Sequence, residues 1–313
     1  MKKITGIVLA VAALLAVGCQ KKAADGVIKV GIIQLVEHSA LDATYQGFVD
    51  GLAEAGYVDG ENIAVDYQNA QGEQANCVTI ANKFVNDKDD LILAIATPAA
   101  QAVAQLTDTI PILITAVTDP ATAKLVESNE HPGRNVTGTS DLTPVAAQID
   151  LLTQILPEAQ TVGLMYCSSE QNSVFQIQMA KDACEKAGLR YVEGSVSNSN
   201  EIQQVTQSLV GKVDAIYIPT DNMLAAGMQL VAQVANENRI PTIVGEDGMV
   251  RNGGMVTYGI NYYELGKQTA AQAVRVLRDG ASPADMPIEY LEKCDLSYNE
   301  DSLAAVGVTL PEL

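Results

Sequence analysis

The sequence predicts an α/β protein made of two doubly wound parallel-sheet lobes. Three observations carry that expectation. Short apolar runs rich in Val and Ile alternate with longer stretches of helical periodicity, the pattern of βαβ units whose sheet is covered on both faces. The alternation stops near Asp141–Pro144 and then restarts. The chain has 313 residues, enough for two domains of ordinary size.

In order, Ile28–Leu35, Ile63–Tyr67, Leu91–Ala96, Ile112–Val117 and Val136–Thr139 read as the strands of the first lobe. Leu41–Ala55 and Glu73–Val85 between them have helical spacing. In the second lobe the strands are Val162–Tyr166, Tyr191–Val196, Ala215–Ile218, Thr242–Val244 and Met255–Tyr258. Helices are expected near Asn172–Ala187, Glu201–Val210, Asn222–Asn236 and Tyr263–Asp279. Gly56, Gly188 and Gly280 stand where C-caps belong, and Pro98, Pro120 and Pro144 where first helical turns belong.

The N-terminus has a different character. Met1-Lys2-Lys3 leads into about fifteen mostly apolar residues ending Leu15-Ala16-Val17-Gly18-Cys19, the parts of a secretory signal. The run is too short to favour a membrane span, which needs ~20 apolar residues. A cysteine at the cleavage point resembles a bacterial lipobox, in which Cys19 is lipidated and becomes the mature N-terminus. Leu is usual three residues before that Cys; here Ala16 holds the position and Leu15 lies one place further back. The alternative is an ordinary signal peptide with Cys19 incidental, and both readings place the protein outside the cytoplasm.

Removing Lys2 and Lys3 from the 19 basic residues leaves 17 against 38 acidic ones, formally −21. That balance argues against nucleic acid, whose affinity comes largely from Lys and Arg. It also argues against a polybasic hold on anionic lipid, leaving an acyl group on Cys19 as the membrane anchor. High net charge favours a soluble monomer. Cys77, Cys167, Cys184 and Cys294 are widely spaced and read as small buried thiols, and only His38 and His131 supply imidazoles. No His-Glu-x-x-His, Walker loop or Gly-x-Ser-x-Gly elbow is present, so no metal or cofactor is expected.

Open parallel sheets bind ligands outside the carboxyl ends of their strands. In the first lobe those positions are Gln34 to His38, Thr97-Pro98-Ala99, Val117 to Pro120 and Ser140-Asp141. In the second they are Tyr166 to Ser169 with Asn172-Ser173, Pro219-Thr220-Asp221-Asn222, and Gly245-Glu246-Asp247. Free N–H groups at helix N-termini suit an anion such as a carboxylate. A buried ammonium needs a carboxylate partner, and Asp221, Asp119, Asp141 and Glu246 are the candidates. A zwitterion therefore fits, with its carboxylate at Thr97 or the Ser168–Ser173 loop and its ammonium at Asp221.

The same residue types are the ordinary N-caps. Thr118, Asp119 and Ser140 lean toward that structural role, whereas Asp221 leans toward the ligand because Asn222 beside it can cap the helix. His38 is placed in the cleft rather than in a solvated loop. Tyr166 is either a stacking surface or sheet core.

These loops carry a family resemblance. Gln34-Leu35-Val36-Glu37-His38-Ser39-Ala40-Leu41-Asp42, Ala96-Thr97-Pro98-Ala99-Ala100-Gln101, Thr118-Asp119-Pro120, Asn135-Val136-Thr137-Gly138, Ser168-Ser169-Glu170 with Asn172-Ser173, and Pro219 with Asp221-Asn222 resemble the substrate-binding lipoproteins of bacterial ABC importers. The branch they look like binds tryptophan, tyrosine and related aromatic amino acids, and the likeness runs from about Ile28 to Gly280. It implies a type I periplasmic-binding-protein fold whose lobes are joined by a three-crossing hinge, an aromatic amino acid between the lobes, and a permease with its ATPase as partners. In such proteins a segment like Gly254–Gly280 returns to the first lobe.

The organisation expected is then residues 1–18 as leader, 19–27 as tether, 28–140 with 261–283 as lobe 1, and 141–260 with 284–313 as lobe 2. With no Trp and three Phe, the ligand ring must meet tyrosines or Phe48, or else Met and Leu side chains. An enzyme on this fold would need a nucleophile and base, and Cys167 with Ser168 is the pair to test. A ligand sensor partnering a membrane kinase is the other alternative; the repressors of this fold begin with a DNA-binding segment where this chain has its leader.

Overall fold

The computed structural model describes residues 26–311; the leader, Cys19 and most of the tether lie outside them. The first lobe begins β1 (Ile28–Gln34), α1 (Ser39–Glu54), β2 (Ile63–Asn69), α2 (Gln74–Asp87), β3 (Leu91–Ile95), α3 (Thr97–Ala104), β4 (Ile112–Thr115) and β5 (Val136–Ser140). The second contains α4 (Val145–Ile155), β6 (Thr161–Cys167), α5 (Gln171–Lys186), β7 (Arg190–Val196), α6 (Ile202–Leu209), β8 (Ala215–Ile218), α7 (Asn222–Ala226), α8 (Met228–Glu237), β9 (Thr242–Val244), α9 (Asp247–Arg251) and β10 (Val256–Gly259). The chain continues through α10 (Tyr262–Asp279), β11 (Glu289–Tyr290), β12 (Asp295–Tyr298) and α11 (Glu300–Val306).

Each lobe is built on a six-stranded sheet, ordered β11-β5-β4-β3-β1-β2 in one and β12-β10-β9-β8-β6-β7 in the other. All neighbours are parallel except β12, which runs antiparallel to β10. Every residue of β3 and β8 is fully buried, which explains why those strands read as continuous apolar runs. In both lobes the strand order reverses beside the first strand, β1 or β6. That point is where a doubly wound sheet opens a crevice at its carboxyl edge, and the two crevices face each other.

The expected strands are present with ends moved by one or two residues. The expected helix Asn222–Asn236 is two helices, interrupted at Gly227. Pro120 opens a series of turns rather than a helix, so β4 and β5 are joined without one. Among the described residues no helix is long and apolar enough to cross a membrane.

The last segment corrects the expected boundary. Residues 284–313 are expected wholly on lobe 2, yet Glu289 and Tyr290 pair with Thr139 and Ser140 of β5. Ile288 is buried in the lobe 1 core, and the Thr137 hydroxyl donates to the Met286 carbonyl at 2.6 Å. The reason is edge protection: without β11, β5 would present an unpaired edge. The third crossing therefore follows Tyr290, and β12 begins lobe 2. The first two crossings lie between β5 and α4 and between β10 and α10.

α10 packs on lobe 1, with Leu265, Ala270 and Ala273 inside its core. It crosses α1 at very short range. A Cβ on Gly47 would stand 2.0 Å from the Tyr263 carbonyl oxygen, and one on Gly266 would stand 2.1 Å from that of Thr44. Helix backbone cannot move aside locally, so Gly266→Ala should lower unfolding stability by about 1–3 kcal/mol, outweighing its helix-propensity gain of about 1 kcal/mol. A urea titration showing unchanged or raised stability would refute the close crossing.

Candidate functional site

The crevices of the two sheets meet in a cavity lined by His38, Leu41 and Ala116 of lobe 1, Asp141 and Tyr262 at two crossings, and Asn172, Thr220, Asp221, Asn222, Ala225 and Glu246 of lobe 2. A second, adjoining cavity is lined by Thr97, Asp119, Thr122, Ala123, Gln171, Asn172 and Phe175. Asn172 borders both. The lobes touch directly around them. Gln101 Nε2 donates to Gln171 Oε1, and Gln171 Nε2 to the Thr122 carbonyl, each at 2.7 Å. His38 Nε2 lies 3.4 Å from Asn222 Oδ1, and the Thr118 and Thr220 hydroxyls are also 3.4 Å apart. This is a closed arrangement.

Lobe 2 brings carboxylates to the cleft. Asp221 caps α7 by accepting from Leu224 N–H at 2.8 Å, and its other oxygen accepts from Cys167 N–H at 2.6 Å. Glu170 accepts from the backbone N–H groups of Asn222 and Met223 and from the amides of Asn172 and Asn222. Burial, and then the Glu170 charge, push the Asp221 carboxyl well above the usual range. Glu246 caps α9 through the N–H groups of Gly248 and Met249; burial and Asp247 raise it to about 7 against those bonds.

At the hinge, Asp141 is raised by burial although Tyr262 and Thr118 donate to it at 2.8 and 3.1 Å. His38 is lowered to about 4 by burial, so its imidazole is neutral. Tyr262→Phe would leave the buried Asp141 carboxyl short of a donor and should cost about 1–3 kcal/mol of stability. A thermal melt within error of the parent would show that this bond is not formed.

The expected site residues divide. His38, Asn172, Asp221, Asn222 and Glu246 line the first cavity and Thr97 the second. Pro98 and Ala99 follow Thr97 in the first turn of α3, all buried. Ala96, just before, has φ +83° and Ala116, after β4, has φ +52°; non-glycine residues held there are strained, a condition that clusters at binding sites. Gln34 is fully buried, its amide nitrogen donating to Val36 O and Asp42 Oδ1. Ser173 is buried, and its hydroxyl accepts from the Asn172 amide at 3.3 Å. Thr118 bridges Asp141 and Thr220, while Ser140 ties its own loop through the Thr118 carbonyl and Leu142 N–H.

Several expectations fall. Tyr166 turns away: strand alternation sends Met165 and Cys167 into one core and Leu164 and Tyr166 toward the other, and its hydroxyl donates to Glu193 at 2.9 Å. Ser168 and Ser169 are exposed and bond the Val196 carbonyl and Cys167 Sγ instead of facing the cavities. Phe48 is fully buried in the lobe 1 core. Asn222 does not cap α7; Asp221 does, and Asn222 reaches Glu170 and His38. The Cys167 thiol is pushed up to about 11, mainly by burial, which removes its nucleophilic form.

Sequence reasoning missed Phe175 and Tyr262, and reached Glu170 only as part of the resembling motif, without a role. Tyr262 was findable, since it follows β10 as the other cleft residues follow their strands. Phe175 stands three residues after Asn172 on α5, a spacing that puts both on one helix face.

Among the described residues, nine buried side-chain polar atoms have no hydrogen-bond partner, and three of them are on residues that line these cavities: His38 Nδ1, Thr97 Oγ1 and Asn172 Oδ1. Unpaired buried polar atoms cost roughly 1–3 kcal/mol each, so their gathering at one interlobe cleft marks a place built to be completed by a ligand.

A hinged pair of α/β lobes closing on a polar cleft defines a solute-binding protein. Residues 29–313 match the family described as ABC transporter substrate binding protein, and the chain belongs to that family. It is 45% identical over 279 residues to a tyrosine-binding protein of Clostridioides difficile strain R20291, covering 89% of this chain and 81% of the relative. It superposes with TM-score 0.88 on an ABC domain in complex with L-Trp from Streptococcus pneumonia, at 37% identity over 92% of this chain and 97% of that one. With a ligand-free, open substrate-binding protein with adhesive properties from Clostridium difficile the TM-score is 0.70 at 48% identity, over 91% and 97% of the chains. The more similar sequence superposes less well, as expected when these lobes are closed and those are open.

Proposed function

We propose that this protein captures an aromatic amino acid, tyrosine, tryptophan or phenylalanine, on the outer side of a membrane to which lipid on Cys19 anchors it, and delivers it to a permease with its ATPase. The observation that carries the reading is the set of unpartnered polar atoms and buried carboxylates converging between the lobes, together with relatives that bind tyrosine and tryptophan.

Asp221, with Asn172 Oδ1, receives the ammonium. The Thr97 hydroxyl and the N-terminus of α3 receive the carboxylate. Leu41, Tyr262 and Phe175 offer surfaces for the ring. In this arrangement the first cavity leaves about 10 Å³ of free space, roughly one water, and the second none, so the ligand enters with the lobes parted and holds them less tightly shut than they are here. Contacts to both lobes then shift the population toward closure, and closure is what the permease reads.

Isothermal titration of the domain after Cys19, refolded to strip carried-over ligand, tests this with tyrosine, tryptophan and phenylalanine against leucine, glutamate and ribose. Micromolar or tighter binding of an aromatic amino acid alone is expected. Silence toward all three aromatic amino acids would overturn the assignment.

A further inference from the structure

The cleft is asymmetric in charge. Asp141, Asp221 and Glu246 line the first cavity, with Glu170 directly behind, and all four are buried. Neither cavity is lined by a lysine or an arginine. Arg251, whose charge reaches Glu246, faces solvent paired with Asp247. The one imidazole in the lining is neutral at physiological pH, because burial lowers it to about 4.

One unpartnered atom in the lining has the same bias. Asn172 Nδ2 donates to Glu170 and to the Thr220 carbonyl, which leaves Asn172 Oδ1, in a side chain only 6% exposed, as a bare acceptor at the cavity wall. A ligand that completes this wall brings donors. An ammonium carries three donors and no acceptor.

From this geometry we infer that the cleft is first a receptor for an ammonium group, and that it also binds arylalkylamines, the aromatic amino acids without their α-carboxylate. The inference rests on the ligand reading given above and extends it to a second chemical class. A ligand carboxylate meets no cationic side chain, only the Thr97 hydroxyl and the N–H groups of α3, and a hydrogen bond from such a donor to a charged group is worth roughly ten- to a hundredfold in affinity. An ammonium meets buried carboxylates, and removing it would leave them uncompensated in a water-poor site. Losing the carboxylate should therefore be tolerated, and losing the ammonium should not.

The test is calorimetric titration of the unaltered domain with three probes for each ring. These are tyrosine, tyramine and 3-(4-hydroxyphenyl)propionate, then tryptophan, tryptamine and indole-3-propionate. The expected result is amine binding within about a hundredfold of the matching amino acid and no heat from the arylpropionates. An amine weakened by more than that, or an arylpropionate binding as well as its amine, would overturn the inference while leaving the amino-acid reading intact. Binding of amines with silence from the amino acids would keep the inference and sink that reading. Silence from every probe would remove both.

Discussion

Asp221→Asn is expected to weaken binding of the cognate amino acid by about 2 kcal/mol or more, because a buried ammonium would lose its counter-charge. Asp221 also caps α7 and accepts from Cys167 N–H, so a folding defect must be separated from a binding defect. The asparagine keeps one oxygen for the Leu224 N–H and loses the bond to Cys167. It also removes the repulsion between two buried carboxylates, Asp221 and Glu170. These changes oppose each other, and stability should move little while affinity falls. Titration calorimetry beside a thermal melt gives both numbers. Unchanged affinity in a folded variant would take Asp221 out of the site.

The second large effect is on pH, and it has opposite signs for binding and for folding. Burial makes Asp221 and Glu246 hold protons to higher pH than ordinary carboxyl groups, Glu246 to about 7. An ammonium bound at Asp221 requires the carboxylate, so binding displaces a proton. Affinity should then fall by about tenfold per pH unit below that carboxyl's folded pKa, between pH 7 and 5, where the ligand ammonium stays charged.

Folding of the free protein runs the other way. The raised carboxyls bind more protons folded than unfolded, so their contribution to stability is complete below the ordinary carboxyl range and is lost as pH rises through 7. His38, lowered to about 4, adds stability above its ordinary value of about 6.5 that is lost on acidification. From pH 6 to 7 the two raised carboxyls outweigh the stability that His38 is still gaining, so the free protein should lose stability while binding strengthens, and above pH 7 both should level off. Melting curves across that range, with calorimetry in buffers of different ionisation enthalpy to count the released proton, check both signs. A pH-independent affinity would mean that no titrating carboxyl meets the ligand.

The family, the paired sheets and the loops that bear the cleft were legible in the sequence because their signals are local. Strand runs, helical spacing and small polar residues after each strand are set within a few residues, and parallel sheets place their ligands at one edge. His38, Thr97, Asn172, Asp221 and Glu246 were read from that rule alone, and the structure gathers them.

Tertiary structure decided which side chains turn into the cleft and what each one meets. Pleat parity sent Tyr166 to the far face. An unpaired edge drew Glu289 and Tyr290 back to lobe 1. Tyr262 met Asp141 across 121 positions of chain, and His38 met Asn222 across 184. The side on which a strand residue lies depends on the sheet's register and on the core it meets. Contacts between lobes depend on a hinge angle that no local pattern encodes. Residues far apart in the chain become one charged, donor-seeking surface only when the two sheets close edge to edge.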